Sequence, residues 1–222
     1  MAKAQGRHPS AEPRWPVVLA IATVFVLLGL LPERIRLVPA WSPLALGAAA
    51  ILPIACVALA PEKARWLRIE RAASLAFFAL MAVGTLVSLG HLIVLMIKRA
   101  AGIGGLQLLT SGVGVWVNNL LMFSLLYWQV DRGGPGPRAS PAPPRPDWLF
   151  PQEGAPRSDL PPGWRPAFVD YLFLAFSAAT AFSATDVLPL TPRAKLMMML
   201  ESSISLVTVV VVAARAINVL GA

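Results

Sequence analysis

Charged residues, cysteine and histidine are all scarce in this chain. Lysine, arginine, aspartate and glutamate make up 14% of the 222 residues, whereas an ordinary soluble domain carries about 25%. The single cysteine, Cys56, excludes an internal disulfide and a metal site made of cysteines. The two histidines, His8 and His91, lie far apart in the sequence, which argues against a bis-histidine haem or a zinc triad. We therefore expect no cofactor and no metal.

Sequence patterns of the common enzyme classes are missing as well. No P-loop, serine–histidine pair or metal-ligand spacing appears. Asp170 and Asp186 are two acids that an intramembrane aspartyl protease could use, but the glycine-flanked acid of such proteases is absent. We therefore expect no enzymatic activity and no catalytic residue.

Long apolar runs dominate the sequence instead. Hydrophobic residues make up 57% of the chain, and the mean hydropathy is +0.67. Such runs predict an all-α, polytopic helical integral membrane protein with five or six membrane-embedded segments, located in the plasma (cytoplasmic) membrane. The net charge of +8 does not indicate a nucleic-acid partner. Most lysines and arginines flank the apolar runs, where they anchor and orient helices in a lipid bilayer.

The apolar runs divide the chain into four parts. Residues 1–15 form a basic tail, and the first apolar run lacks a small-residue cleavage site, so we interpret it as an uncleaved span. Residues 131–166 are expected to form a linker, and residues 167–222 are expected to form a helical hairpin. Between tail and linker, residues 16–130 are predicted to form four transmembrane helices, at about 16–31, 43–60, 69–97 and 106–130.

The linker is rich in residues that break regular structure. It holds eleven prolines, five glycines and five arginines. This density of proline predicts that neither a helix nor a strand forms in the linker. The apolar island "DWLFP" at 147–151 is expected to dock on the surface of the membrane domain.

The final part has a distinctive order. A short amphipathic helix at 167–180, with Asp170 near its start, is followed by "AFSATD" at 181–186. Pro189 and Pro192 then turn the chain into a long apolar helix at about 192–220.

This order resembles the pore module of the potassium-channel superfamily of bacterial ion channels: a short pore helix, a filter, an acid, a proline turn and an inner helix. The likeness covers about 168–219. The resemblance implies a homo-oligomer, a tetramer in a channel, that conducts monovalent cations. The positions that carry it are Asp170, Tyr171, Phe176, Ser177, Thr180, Asp186, Pro189, Thr191, Leu200, Glu201, Ala214 and Arg215.

The filter departs from the family pattern. Ser183 and Thr185 stand where the family has its two glycines. A ladder of carbonyls aimed at the ion needs backbone angles that glycine adopts most easily. Selectivity would instead come from the hydroxyls of Thr180, Ser183 and Thr185 and from a ring of Asp186, which predicts a weakly selective cation pore. The alternatives are a non-conducting membrane scaffold or assembly protein built on a degenerate pore module and, third, a transporter.

Two arguments about topology disagree. With four spans before the linker, the side of the tail and linker carries twelve lysines and arginines against four on the other, which favours that side as cytoplasmic. A conventional pore loop would place the linker outside. We favour a fifth crossing by residues 167–190, with both termini inside; the alternative is a re-entrant segment.

Five polar positions in the predicted spans need an explanation. We interpret Glu201 as an internal brace, bonded to Ser177, Thr180 or an end of the short helix, because an unpaired carboxylate in lipid is costly. Asn118 and Asn119 are expected to join helices. His91 is interpreted as a helix-packing residue and Arg215 as a side chain that snorkels to lipid phosphate.

Overall fold

A computed structural model describes residues 15–30, 72, 76, 83–91, 93–94, 105–161, 163–180 and 186–220. The basic tail up to residue 14, the predicted span at 43–60, much of the span at 69–97 and the filter-like residues Ser183 and Thr185 lie outside the described residues.

The described part of the chain is mostly helical. Residues 83–91, 93 and 94 are helical, and five further α-helices have defined bounds: α1 (Trp15–Leu30), α2 (Gly105–Val130), α3 (Pro135–Arg138), α4 (Phe168–Thr180) and α5 (Pro192–Leu220). The predictions of helices at 16–31, 106–130, 167–180 and 192–220 are confirmed to within one residue at each end.

Helix α2 lies at the centre of the packing and contacts α1, α4 and α5. Its largest side chains, among them Phe123, Tyr127 and Trp128, are almost fully buried. Two segments are long and apolar enough to cross a membrane, Leu109–Gly133 and Pro192–Ala214. They correspond to α2 and to most of α5.

Helix α5 has its polar residues inside and its apolar residues outside. Glu201, Ser205 and Thr208 are fully buried and share one helix face, because they follow each other at spacings of four and three residues. The opposite face exposes large apolar side chains: Leu196, Met199, Leu200, Leu206, Val207, Val209 and Val210. This distribution is the reverse of that on a surface helix of a soluble protein.

The linker contains short regular elements, so the prediction that it forms no helix or strand is wrong. Three-residue to four-residue 3₁₀-helices cover Asp131–Gly133, Pro151–Gly154 and Arg157–Asp159, and α3 begins at Pro135. Proline is tolerated in the first turn of a helix because the N–H groups there have no partner within the helix. Proline density excludes long helices but not single turns.

The apolar island of the linker docks as expected. Trp148 and Phe150 are buried, with exposed fractions of 0% and 2%. Trp148 lies against the ring of Tyr127 in α2, with a centroid distance of 4.8 Å, and Phe150 makes an edge-to-face contact with Tyr171 in α4. Two short strands, β1 (Trp148–Leu149) and β2 (Leu188–Pro189), pair antiparallel, with Trp148 opposite Pro189. The linker is therefore packed against the helices.

Candidate functional site

The segment from α4 to β2 begins and ends at the same end of the helix bundle. Near its start, the Tyr171 hydroxyl donates to Asp131 Oδ2 at 2.6 Å, just beyond the end of α2. At its end, the N–H of Leu190 donates to the carbonyl of Asp147 at 2.8 Å. Asp147 in turn donates its own N–H to Asp131 Oδ1 at 2.8 Å. The start of the segment is thus bonded to Asp131 and its end to Asp147, and these two residues are bonded to each other.

The far end of α4 lies part-way along α5. The hydroxyl of Ser202 donates to the carbonyl of Ala178 at 3.1 Å, and that of Ser205 donates to the carbonyl of Ala179 at 2.5 Å. At a rise of 1.5 Å per residue, Ser205 lies about 20 Å along α5 from Pro192. Helix α4 therefore enters the bundle from the linker end and stops inside it.

This geometry bears on the two interpretations of residues 167–190. A single crossing would separate the two ends of the segment by the length of the bundle, whereas both ends lie beside the linker. The preferred interpretation as a fifth crossing does not agree with these positions, and the re-entrant alternative stays a prediction.

Two of the four filter-like residues are described. Thr180 ends α4 and is half-buried, and its hydroxyl donates to the carbonyl of Phe176 at 2.9 Å. Asp186 is exposed where the described chain resumes. Ser183 and Thr185 lie outside the described residues, so the convergence of these four residues on one axis stays a prediction.

Glu201 has a partner, although not the expected one. Its carboxylate is fully buried and accepts a hydrogen bond from the hydroxyl of Tyr127 in α2. Ser177 and Thr180 instead donate to carbonyls of their own helix. Glu201 therefore braces α5 against α2 and not against α4. Its second carboxylate oxygen, Oε1, has no hydrogen-bond partner among the described residues.

The asparagines join helices, as the sequence predicts. Asn118 donates to Thr85 Oγ1 at 3.1 Å, and Thr85 belongs to the helical residues 83–91. Asn119 donates to the backbone carbonyl of Glu201 at 3.4 Å. His91 is helical and half-buried, and Arg215 lies in α5 with its side chain outside the described part.

Sequence reasoning missed an ion pair that ties the linker to the start of α5. The Asp147 carboxylate is fully buried and accepts hydrogen bonds from Arg193 Nε and Nη2, both at 2.6 Å, and from Thr191 Oγ1 at 2.7 Å. Thr191 also caps α5, because its Oγ1 accepts from the N–H of Ala194 at 3.3 Å. The threonine–proline pair before a helix signals the cap, but no pattern signals its partner in the linker.

Arg138 is bonded to the C-terminal end of α2. It is 3% exposed, and its Nη1 donates to the carbonyls of Trp128 at 2.9 Å and of Asp131 at 3.3 Å. Its guanidinium also lies 5.1 Å from the ring centroid of Tyr171. A cation at this position complements the negative end of the helix dipole.

Asp170 caps the start of α4. Its Oδ2 accepts a hydrogen bond from the N–H of Ala167 at 2.7 Å. Burial raises the pKa of the Asp170 carboxyl, and hydrogen bonds from the N–H groups of Ala167 and Asp170 lower it in part. Asp170 therefore has a structural partner at the start of the helix.

No family model, curated protein or solved structure matches this chain. The resemblance to channel pore modules therefore stays a prediction from the residue pattern. Within the described ranges, no group of three or more histidine, cysteine, aspartate or glutamate residues could hold a metal ion.

Proposed function

We infer that the chain is a channel-like integral membrane protein whose residues 168–190 form a re-entrant pore module. The observation that carries this inference is the path of α4, which enters from the linker end and returns to it. A short helix followed by a return to the same side is the arrangement that the pore-module resemblance implies. The long helix α5 then takes the place of the inner helix.

The inside-out polarity of α5 supports a position in the membrane. A soluble protein would bury the apolar face of α5, whereas only 22% of the apolar window in this helix is buried. Exposure of valine, leucine and methionine side chains carries no free-energy cost when the surrounding solvent is lipid hydrocarbon. The buried Glu201 and Ser205 keep their hydrogen bonds inside the protein.

The exposed side of α4 supports an oligomer. Val169, Phe173 and Phe176 are 64%, 62% and 47% exposed, although α4 is too short to cross the bilayer. In a tetramer, these side chains pack against the neighbouring copy and the four modules together surround the pore. A clean monomer in mild detergent would remove the channel proposal.

The re-entrant path changes the expected topology. With four crossings before the linker and α5 as a fifth, the two termini lie on opposite sides of the membrane. Arg193 and Lys195 join the side of the linker, which strengthens the charge argument for that side as cytoplasmic. Terminal reporter fusions test this: active reporters on the same side at both ends would contradict it.

The proposed pore selects cations over anions but discriminates weakly between potassium and sodium, because Ser183 and Thr185 replace the glycines of the carbonyl ladder. The test is the reversal potential in reconstituted bilayers, first under potassium–sodium and then under salt-gradient conditions. Asp186→Asn should lower the preference for cations over anions. Asp159→Asn, a change to another exposed acid in the linker, is the matched control and should leave it unchanged.

The second candidate function is a non-conducting scaffold or assembly protein. One observation favours it: the last carbonyls of α4 are bonded to Ser202 and Ser205, so the negative end of this helix is not open to an ion. Absence of current from a folded, oligomeric preparation would favour this candidate. A strong potassium preference would contradict the interpretation of the filter.

A further inference from the structure

A cavity of about 650 Å³ lies between the linker and the end of α2. It does not include any residue of the pore module. Four of the five linker arginines line it: Arg132, Arg138, Arg157 and Arg165.

The cavity has an excess of positive charge. Glu153 is the one acid in its lining and forms an ion pair with Arg132. Asp131 lies just outside, with its Oδ2 at 3.7 Å from Arg132 Nε. The Arg138 guanidinium donates to the backbone carbonyls of Trp128 and Asp131. The cavity and its immediate surroundings thus hold four guanidinium groups and two carboxylates. Arg157 and Arg165 are exposed.

Two buried polar atoms of the lining residues lack hydrogen-bond partners among the described residues. They are the donor Arg132 Nε and the acceptor Gln152 Oε1. Arg132 also has a left-handed backbone, with φ of 53°, which is unfavourable for a residue other than glycine. Donors and acceptors left unpaired in a buried position point to a missing ligand.

The cavity also has a defined place relative to the apolar helices. Arg132 is the second residue after α2 and lies at the end of the candidate span Leu109–Gly133. Trp164, which lines the cavity, is an aromatic side chain of the kind enriched at membrane–water interfaces. The cavity therefore lies at the level of phospholipid head groups.

We propose that this cavity binds a phosphate group, carried either by an anionic phospholipid or by a soluble phosphate compound. Guanidinium groups match the oxygens of phosphate with two parallel hydrogen bonds, and Arg132 Nε is a donor that makes no hydrogen bond to any described residue. The volume leaves room for a neighbouring hydroxyl or ammonium group, which would donate to Gln152 Oε1. The proposal does not depend on whether the protein conducts ions.

The experiment compares two double variants of the full-length protein in mild detergent. Arg157→Gln/Arg165→Gln removes the two exposed arginines of the cavity. Arg145→Gln/Lys195→Gln removes two exposed cations at the same end of the molecule but outside the cavity. Binding is followed by thermal unfolding and by native mass spectrometry, with glycerol 3-phosphate as the soluble probe and phosphatidylglycerol against phosphatidylcholine as the lipid probes.

We expect the cavity variant to lose about tenfold in affinity for the phosphate probe, since a hydrogen bond to a charged group contributes about one factor of ten or more. The control variant should bind like the wild type. Stabilisation by phosphatidylglycerol alone identifies a lipid site, and stabilisation by glycerol 3-phosphate as well identifies a site for phosphate from either source. Equal loss in both double variants, or no response of the wild type to any probe, would overturn the proposal.

Discussion

Helices α2 and α5 are both long and apolar, yet they are used in opposite ways. In the apolar window of α2, 56% of the residues are buried, against 22% in α5. Helix α2 has neighbours on several sides, since α1, α4, α5 and the helical residues 83–91 all contact it. Helix α5 contacts α2 and α4 along one polar face and exposes the rest.

The comparison teaches that hydropathy along a sequence does not reveal which helix is central. Glu201, Ser202 and Ser205 of α5 bond to other helices, while most of its large apolar side chains face outward. Helices α2 and α5 are antiparallel, because contacts that lie earlier in α2 lie later in α5. The contacts are Tyr127–Glu201, Asn119–Glu201, Trp116–Ser205 and Gly112–Val212. Packing between these helices is thus specified by a few polar side chains and one glycine.

The largest expected effect on stability comes from the same substitution, leucine to alanine, made once in each helix. Leu125 in α2 is 1% exposed and Leu206 in α5 is 61% exposed. Leu125→Ala should lower the free energy of unfolding by about 3 kcal/mol, because it leaves a cavity. Leu206→Ala should change it by less than about 0.5 kcal/mol. Reversible unfolding in mixed micelles measures both, and equal losses would show that another protein surface covers α5.

The second-largest expected effect on stability concerns the ion pair of Asp147 and Arg193, which fixes the start of α5. Asp147→Asn removes the charge that Arg193 and Thr191 bind, and we expect a loss of about 2–3 kcal/mol in the free energy of unfolding. Asp159→Asn, at an exposed linker acid, is the control. Adding Arg193→Gln to Asp147→Asn should cost little more, because the interaction is already broken. Additive losses would argue against direct coupling of the two side chains.

The brace between the two helices predicts a smaller effect with a defined rescue. Glu201→Leu leaves the buried Tyr127 hydroxyl without an acceptor, at an expected cost of about 2 kcal/mol. Glu201→Gln keeps an acceptor and should be tolerated better. Tyr127→Phe in the Glu201→Leu background should restore part of the loss. Equal folded yields of wild type, Gln and Leu proteins would show that the carboxylate has no structural partner.

The smallest expected effect is at the close contact of the two helices. A methyl group at Gly112 would collide with Val212 Cγ2 in α5, whereas nothing lies within 4 Å of the same position at Gly114. Gly112→Ala should destabilise the protein by about 1 kcal/mol. Gly114→Ala should leave stability unchanged or raise it by up to about 1 kcal/mol, because alanine favours a helix. A midpoint shift of the same sign in both variants would contradict this packing.

Sequence patterns predicted the helices well because apolar runs and prolines mark where each helix begins and ends. Pro192, preceded by its Thr191 cap, marks the start of α5, and the apolar island at 147–151 was recognised as a docking segment. The sequence does not predict the short turns of the linker when its proline density is taken to exclude every helix, since Pro135 and Pro151 stand where a helix tolerates proline.

The side-chain pairs of the candidate site were beyond prediction from one sequence. Glu201 was expected to have a partner because a buried carboxylate needs one, but nothing in the sequence distinguishes Tyr127 from Ser177 or Thr180. Asp147 and Arg193 are separated by the whole of α4, so no helical or strand period relates them. The return of α4 to the linker end likewise depends on the pairing of β1 with β2, which two short apolar segments do not predict.

The pairing of β1 with β2 also sets an order of events during synthesis. Trp148 leaves the ribosome before the whole of α4, and its partner Pro189 leaves after it. The apolar island therefore has no strand partner while α4 and the residues after it are being made. A nascent chain that ends at Thr180 contains the complete linker but neither Thr191 nor Arg193, the two residues whose side chains bind the Asp147 carboxylate. The hydrogen bonds of Asp147 with Thr191 and Arg193 can form only once the start of α5 has emerged.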